Sequence, residues 1–143
     1  MVVTNLKGSW LVAREFAHHL VGLKRPGRII NISSVLGLRT IRRVPAYCAA
    51  KAGLTHLTQV LAMELARYGI LVNALAPGYV ETDFNREFLR SEPGQKLIGR
   101  VPLRRVGRPD DLDGAMLLLA SPAGAYITGA VIAVDGGHAV AAI

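Results

Sequence analysis

The sequence predicts an α/β fold in which parallel strands form a single sheet. Three short runs rich in apolar and β-branched residues are typical of buried strands, at residues 28–33, 70–76 and 130–134. Two longer segments place apolar residues three or four positions apart, the spacing of an amphipathic helix: 4–23 and 46–68. Strands that alternate with helices in this way run parallel and collect ligands at their carboxyl ends. The 143 residues, 51% of them apolar, are expected to form one domain, residues 1–143.

The first helix, 4–23, is predicted from a single apolar stripe that consists of Leu6, Trp10, Ala13, Ala17 and Leu20. The strand that follows, 28–33, leads directly into a pair of hydroxyl side chains, Ser33 and Ser34. Neighbouring residues of a strand point to opposite faces of the sheet. Ser34 is therefore expected to face a binding cleft, and Ser33 is not.

The second helix, 46–68, follows an arginine-rich loop at 35–45. Its apolar face consists of Ala50, Leu54, Leu57, Leu61 and Leu65. The helix is predicted to end near Gly69, and the next strand, 70–76, stops at Pro77. This strand and the first one should bring Ser34 and the residues after 76 to the same edge of the sheet.

The remaining residues predict a long polar segment, a helix and a last strand. Residues 79–106 are interrupted by Pro93-Gly94 and Pro102, and a segment of this length in a compact domain is typical of a substrate lid or binding loop. A helix is predicted at 109–119, with a proline near its first turn. Residues 115–134 carry no charge, but glycines and a proline interrupt them, which indicates a helix, a turn and a strand rather than a membrane span.

The spacing of Tyr47, Lys51 and Ser34 predicts acid–base chemistry. Residues four apart on a helix share one face, so the lysine ammonium would lie one turn from the phenol. A free tyrosine has a pKa near ~10, and a cation within ~4–6 Å lowers it by about 1–3 units. Such a phenol can exchange a proton with an alcohol or carbonyl oxygen near neutral pH. Taken alone, the Tyr-x-x-x-Lys spacing also fits a surface lysine beside an amphipathic ring, and Ser34 also fits a hydroxyl that satisfies the strand end.

Six motifs follow one another along almost the whole chain. They are TNLKG at 4–8, INISS at 30–34, YCAAKAG at 47–53, VNALAPGYVETD at 72–83, GRPDD at 107–111 and VDGG at 134–137. In this order they resemble the short-chain dehydrogenase/reductase family. The resemblance implies transfer of a hydride between NAD or NADP and a secondary alcohol or ketone. The family includes 3-oxoacyl-carrier-protein reductases and sugar or polyol dehydrogenases.

The resemblance implies four catalytic residues. Tyr47 would be the general acid/base, Lys51 would lower its pKa and bond the nicotinamide ribose, and Ser34 would donate a hydrogen bond to the substrate oxygen. Asn5 would hold a water in the proton relay behind the lysine. As an alternative, Asn5 fits an N-terminal cap of the first helix.

The resemblance also implies the residues that contact the nicotinamide: Tyr47, Lys51, Pro77, Gly78, Val80 and Thr82. Gly78 has a second explanation, because Pro-Gly is a common turn sequence. Thr82 has one too, because it could cap a helix that begins at Asp83.

The motifs match only the second half of the family's pattern. The chain contains no Gly-x-Gly turn for a cofactor pyrophosphate, and no acidic residue follows such a turn. The expected fold is therefore a partial doubly wound (Rossmann-like) parallel sheet that lacks the N-terminal dinucleotide-binding half, as in a truncated or misassigned reading frame. The residues that distinguish NAD from NADP belong to that half.

Two functional hypotheses follow. The chain is an NAD(P)-dependent oxidoreductase, or its catalytic fragment, or else it is a non-catalytic truncated remnant that folds or associates without binding cofactor. The expected partners are a small carbonyl or alcohol substrate and further copies of the chain, which would associate through helices 4–23 and 46–68.

Composition argues against several other classes of protein. The formal charge is +7, but the basic residues are scattered and no aromatic platform accompanies them, so no nucleic acid partner is expected. The four histidines lack ligand spacing, and no metal site is predicted. A single cysteine, Cys48, and the absence of a signal-peptide pattern suit the cytoplasm, and no membrane partner is expected.

Overall fold

The computed structural model describes residues 1–141 and confirms a partial Rossmann-like α/β fold. Helices α1 to α5 and strands β1 to β3 follow one another as α1 (Ser9–Gly22), β1 (Gly27–Ile32), α2 (Pro45–Leu65), β2 (Ile70–Pro77), α3 (Arg86–Arg90), α4 (Glu92–Ile98), α5 (Asp113–Ala120) and β3 (Val131–Val134). A π-helical turn, Val3–Gly8, precedes α1. The two long helices and the three strands lie where the sequence predicts them, with boundaries shifted by a few residues.

The three strands form one parallel sheet in the order β1-β2-β3. Ile32, the last residue of β1, pairs with Leu75, and Pro77 pairs with Val134. The carboxyl ends of all three strands therefore meet at one edge, as predicted. β2 lies in the centre and is buried along nearly its whole length, which explains why it consists of a continuous apolar run.

The main core lies between the sheet and helices α1 and α2. It consists of Ala13, Ala17, Leu20, Ile29, Leu61, Ala62, Ile70 and Val72. The small alanines allow the two helices to approach the sheet and each other closely. Trp10 lies at the margin of the predicted stripe, half-exposed beneath the guanidinium of Arg14. The apolar stripes predicted on both helices thus pack largely in the interior of this molecule.

The outer edge of β1 faces a groove rather than another strand. Within residues 1–141, β1 pairs only with β2. The groove runs between β1 and α1 and is lined by Val12, Phe16 and Ile30 among others. Phe16 of α1 is 41% exposed, and Ile32 at the end of the strand is also exposed.

Residues 79–106 contain two short helices, α3 and α4, which the sequence interpretation missed. Pro93-Gly94 does not interrupt the chain there, because proline is tolerated in the first turn of a helix. The Ser91 hydroxyl accepts a hydrogen bond from the Gly94 N–H and caps α4. The proline that suggested a break is therefore part of a helix start.

The two ends of segment 79–106 are joined by backbone hydrogen bonds. Gly107 N–H donates to the Tyr79 carbonyl, and Glu81 N–H donates to the Gly107 carbonyl, both at 2.8 Å. Beyond this bridge, Asp111 accepts hydrogen bonds from the Arg105 guanidinium and from the Arg108 N–H. The hydrogen bond from Arg105 is the main reason that the pKa of Asp111 lies well below its usual range.

Candidate active site

Tyr47 and Lys51 lie on the first two turns of α2. The helix begins at Pro45, a residue favoured in a first helical turn because it lacks an N–H. The Lys51 ammonium lies 5.7 Å from the centroid of the Tyr47 ring. The structure therefore brings together the two residues whose spacing predicted acid–base chemistry.

Lys51 is held at the carboxyl end of β1. Its side chain is only 8% exposed, and its ammonium donates a hydrogen bond of 2.7 Å to the carbonyl of Ile32. A buried ammonium needs such a partner, because removing the charge from water is costly. Burial lowers the pKa of Lys51. This lysine is thus a buried, oriented cation, unlike the surface lysine of the alternative interpretation.

Ser33 attaches helix α2 to the end of β1. Its hydroxyl donates to the Lys51 carbonyl at 3.1 Å and lies 2.8 Å from the hydroxyl of Thr55. Its side chain faces the helix, as the alternation of side chains along the strand requires. Ser33 therefore positions the backbone that carries Lys51.

Gly37 permits an equally close approach from the loop that follows β1. A Cβ atom at this position would lie 2.8 Å from both the carbonyl carbon and the carbonyl oxygen of Lys51. No side chain fits there unless the helix moves.

Ser34 points away from Ser33 and begins a short turn. Its hydroxyl accepts a hydrogen bond of 3.1 Å from the Leu36 N–H. A hydroxyl that accepts one bond can still donate its proton elsewhere. Two residues of the turn, Val35 and Leu36, pack with Val44, Tyr47, Cys48 and Ala139 in a small apolar cluster. Ser34 is therefore compatible both with a turn cap and with a donor beside the Tyr47 helix.

Asn5 does not cap the first helix. The chain is already helical before it, because both the backbone N–H and the side-chain amide of Asn5 donate to the Met1 carbonyl. Its own carbonyl accepts a hydrogen bond from the hydroxyl of Ser9, the first residue of α1. The capping alternative is wrong, and the relay role stays a proposal.

Pro77 and Gly78 lie beside the end of β3. Gly78 N–H donates to the Val134 carbonyl at 3.0 Å, so the strand pairing continues one residue beyond β2. Gly78 lacks the positive φ expected at the glycine of a type II Pro-Gly turn. Its explanation is close packing, because a Cβ there would lie 2.7 Å from the Cα of Asp135.

Val80 and Thr82 occupy the start of the long segment. Val80 pairs with Gly107. Thr82 is exposed, its N–H donates to the side-chain oxygen of Asn85, and its carbonyl accepts the N–H of Arg86. The first helix of this segment begins at Arg86, so the proposal that Thr82 caps a helix at Asp83 is wrong.

Three residues near Tyr47 escaped the sequence interpretation: Arg39, Tyr79 and His138. The Arg39 guanidinium donates to the His138 carbonyl, and the His138 ring lies 5.4 Å from that of Tyr79. Burial raises the pKa of Tyr79 and lowers that of His138. Tyr79 could have been noticed, since it follows directly after a strand-ending Pro-Gly. Nothing in the sequence indicated the contact of Arg39 with His138.

Two further properties hold for the described residues. Residues 1–141 contain no cluster of three or more histidine, cysteine or acidic side chains that could hold a metal ion. No helix in that range is both long and apolar enough to cross a membrane.

Comparison with known proteins gives consistent matches over nearly the whole chain. The family model described as enoyl-(acyl carrier protein) reductase matches residues 1–139. The 2-dehydro-3-deoxy-D-gluconate 5-dehydrogenase of Escherichia coli is 40% identical over 135 residues, which are 93% of this chain and 53% of that protein. A 3-oxoacyl-[acyl-carrier-protein] reductase of Rickettsia felis is 40% identical over 133 residues, 93% of this chain and 54% of the relative.

Among solved structures, a gluconate 5-dehydrogenase from Burkholderia cenocepacia, in complex with NADP and tartrate, matches with a TM-score of 0.90 and 37% identity. The match covers 96% of this chain and 54% of that structure. The chain therefore spans about half the length of the relatives it matches.

Gly37→Ala should destabilise the protein by about 1–3 kcal/mol, because the added Cβ displaces the Lys51 backbone. Urea unfolding measures the change. Gly114→Ala in α5 is the matched control: its Cβ meets nothing within 4 Å, so the free energy of unfolding should stay equal or rise by up to about 1 kcal/mol. Equal free energies of unfolding for Gly37→Ala and the parent would show that the close contact of Gly37 with Lys51 does not fix the position of α2.

Proposed function

Because the chain belongs to the short-chain dehydrogenase/reductase family, we propose that it is the catalytic part of an NAD(P)-dependent oxidoreductase. Its reaction would be hydride transfer between the nicotinamide and a secondary alcohol or ketone. The observation that carries the proposal is the buried Lys51 ammonium, bonded to the Ile32 carbonyl and 5.7 Å from the Tyr47 ring.

In this proposal Tyr47 holds and moves the proton. Its phenol gives a proton to the substrate oxygen during reduction and takes one during oxidation. Lys51 places its ammonium 5.7 Å from the centroid of the phenol ring, and the Ser34 hydroxyl donates to the same substrate oxygen as negative charge develops on it. Asn5 would hold a water behind Lys51, from the turn that precedes α1.

The chain's own residues suit one end of NAD(P). Lys51, Pro77, Gly78 and Val80 lie on segments that meet at the carboxyl edge of the sheet, and Thr82 follows on the same segment. NAD(P), when bound, supplies or accepts the hydride. For its pyrophosphate the sequence offers no Gly-x-Gly turn at a helix start. The residues therefore fit the nicotinamide end and not the phosphate end.

We also assign the role of substrate lid to residues 79–106. The bridge between Val80 and Gly107 closes the base of the segment. Within it, Phe84 is fully exposed and Phe88 is half-exposed. Exposed aromatic side chains on a segment tied at its base suit a flap that closes over a bound molecule.

The second candidate, a remnant that folds without binding cofactor, is favoured by the missing phosphate turn. The chain covers just over half of its relatives, 53% in the first case and 54% in the second. Cofactor binding by the isolated chain separates the two candidates.

Tyr47→Phe should lower kcat at least ~100-fold, because the substitution keeps the ring and removes the proton. The comparison is made in a form that turns over, such as the chain joined to the dinucleotide-binding segment of a relative. Tyr126→Phe is the control, since the Tyr126 ring is fully exposed. Activity of Tyr47→Phe within about twofold of the parent would remove Tyr47 from the mechanism.

The chain alone should bind NADH and NADPH weakly or not at all. Binding energy from the pyrophosphate normally positions the reacting ring, and losing that position forfeits much of a proximity effect worth up to ~7–11 kcal/mol. Calorimetric titration of the purified chain measures this, with a full-length relative as the positive control. Saturable binding at micromolar concentration would contradict the prediction and would imply a phosphate site elsewhere in the assembly.

We propose further that copies of the chain associate through helices 4–23 and 46–68. The exposed apolar and aromatic side chains on these segments are Trp10, Val12, Phe16, Leu23, Met63 and Tyr68. Phe16→Ser should reduce association measured by sedimentation velocity, whereas Leu117→Ser on α5, where Leu117 is also exposed, should not. A monomer at all concentrations of the parent chain would contradict the proposal.

A further inference from the structure

His138 carries a buried nitrogen without a partner. The residue is 6% exposed, and within residues 1–141 its Nδ1 atom makes no hydrogen bond. Leaving a buried polar atom unpaired is costly, so native structures usually supply a protein group, a water or a ligand at such an atom. The catalytic proposal above does not use this nitrogen.

Arg39 brings an uncompensated positive charge to the same place. Its guanidinium donates to the His138 carbonyl, a neutral group. The ion pairs found among residues 1–141 do not include Arg39. A guanidinium has five N–H donors in a planar fork, which suits a carboxylate with two parallel hydrogen bonds.

The Arg39–His138 pair lies beside the proposed reacting phenol. Ala139, the residue after His138, packs in the apolar cluster that includes Tyr47 and Cys48. The Tyr79 ring lies 5.4 Å from the His138 ring and is tilted by 41° to it. Burial raises the pKa of Tyr79, and the nearby Arg39 guanidinium acts against that effect. Arg39 and His138 therefore lie near Tyr47, although they are 99 residues apart in sequence.

The charges around His138 favour an anion. The groups that face it are Arg39, Arg100 and Asp135. The carboxylate of Asp135 already accepts the N–H groups of Gly137 and Ala139, at 2.9 and 2.6 Å. Two cations and one carboxylate that already accepts two hydrogen bonds leave this part of the site positive.

We propose that Arg39 and His138 bind a carboxylate of the substrate, so that the substrate is a hydroxy acid or an oxo acid. The inference rests on the proposed function, since it takes Tyr47 as the group that meets the reacting oxygen. The Arg39 guanidinium donates to the carboxylate, and the buried imidazole donates its ring N–H to the same group. These contacts would fix which hydroxyl of the substrate reaches Tyr47.

The test compares two molecules that differ mainly in the carboxylate. The 143-residue chain is titrated with sodium D-gluconate and with neutral D-glucitol, and binding is followed by NMR, including the ring resonances of His138. Gluconate should bind at least about tenfold more tightly and shift the His138 ring, as expected for charge-assisted hydrogen bonds.

Substitutions of arginine identify the residue responsible. Arg39→Gln should abolish the preference for gluconate, and Arg39→Lys, which keeps the charge, should retain part of it. Arg42→Gln, an exposed arginine of the same loop, should leave it unchanged. NMR spectra of the free variants report whether each is folded.

Equal binding of the two molecules, no saturable gluconate binding, or a preference that survives Arg39→Gln would overturn the inference. The titration needs no cofactor and no turnover. Selective gluconate binding, together with no hydride transfer by the chain joined to the dinucleotide-binding segment of a relative, would therefore contradict only the proposed function. Turnover of neutral polyols without any gluconate preference would contradict only the carboxylate site.

Discussion

The hydrogen bond from the Lys51 ammonium to the Ile32 carbonyl couples the helix that carries Tyr47 to the strand that ends at the site. A buried ammonium must keep its hydrogen-bond partner, because an unpaired buried charge is costly. This bond therefore fixes the second turn of α2 relative to the last carbonyl of β1. Ser33 adds a backbone contact beside this bond. Gly37 adds a close approach to the same Lys51 carbonyl, next to the Ser33 hydroxyl. The position of the phenol is thus set by packing and hydrogen bonds that lie behind it.

This arrangement separates two neighbouring serines into different tasks. Ser33 faces the helix and holds it, while Ser34 faces the turn and keeps a proton to donate. A strand delivers both side chains to the same place, and the alternation of the pleat assigns them to opposite sides. At the end of β2, Gly78 also combines two contacts. Its N–H continues the strand pairing, and its lack of a side chain lets the backbone pass close to Asp135.

Much of this was predictable because it depends on local periodicity. Helices α1 and α2 are buried on one face, and this gives their sequences a helical spacing of apolar residues. The strands are recognised by their β-branched runs. The proximity of Tyr47 and Lys51 follows from the helix alone, because residues i and i+4 share a face. Helix α4 was missed because Ser91 caps it and Pro93 falls in its first turn, where proline is tolerated. Helix α3 has only five residues, too few to show a helical period in the sequence. The contact of Arg39 with His138 was not predictable, since it arises from tertiary folding between residues far apart in sequence and leaves no periodic signal.

Two features act in opposite directions on other copies of this chain: the outer edge of β1, which no strand within residues 1–141 covers, and the formal charge of +7. An unpaired strand edge attracts extended segments through backbone hydrogen bonds, but only at contact distance. The formal charge of +7 repels other copies over roughly a Debye length, ~8 Å at physiological ionic strength. Added salt shortens the repulsion and leaves the edge unchanged. We therefore expect copies of this chain to associate more readily as ionic strength rises, and dilute buffer to keep them apart.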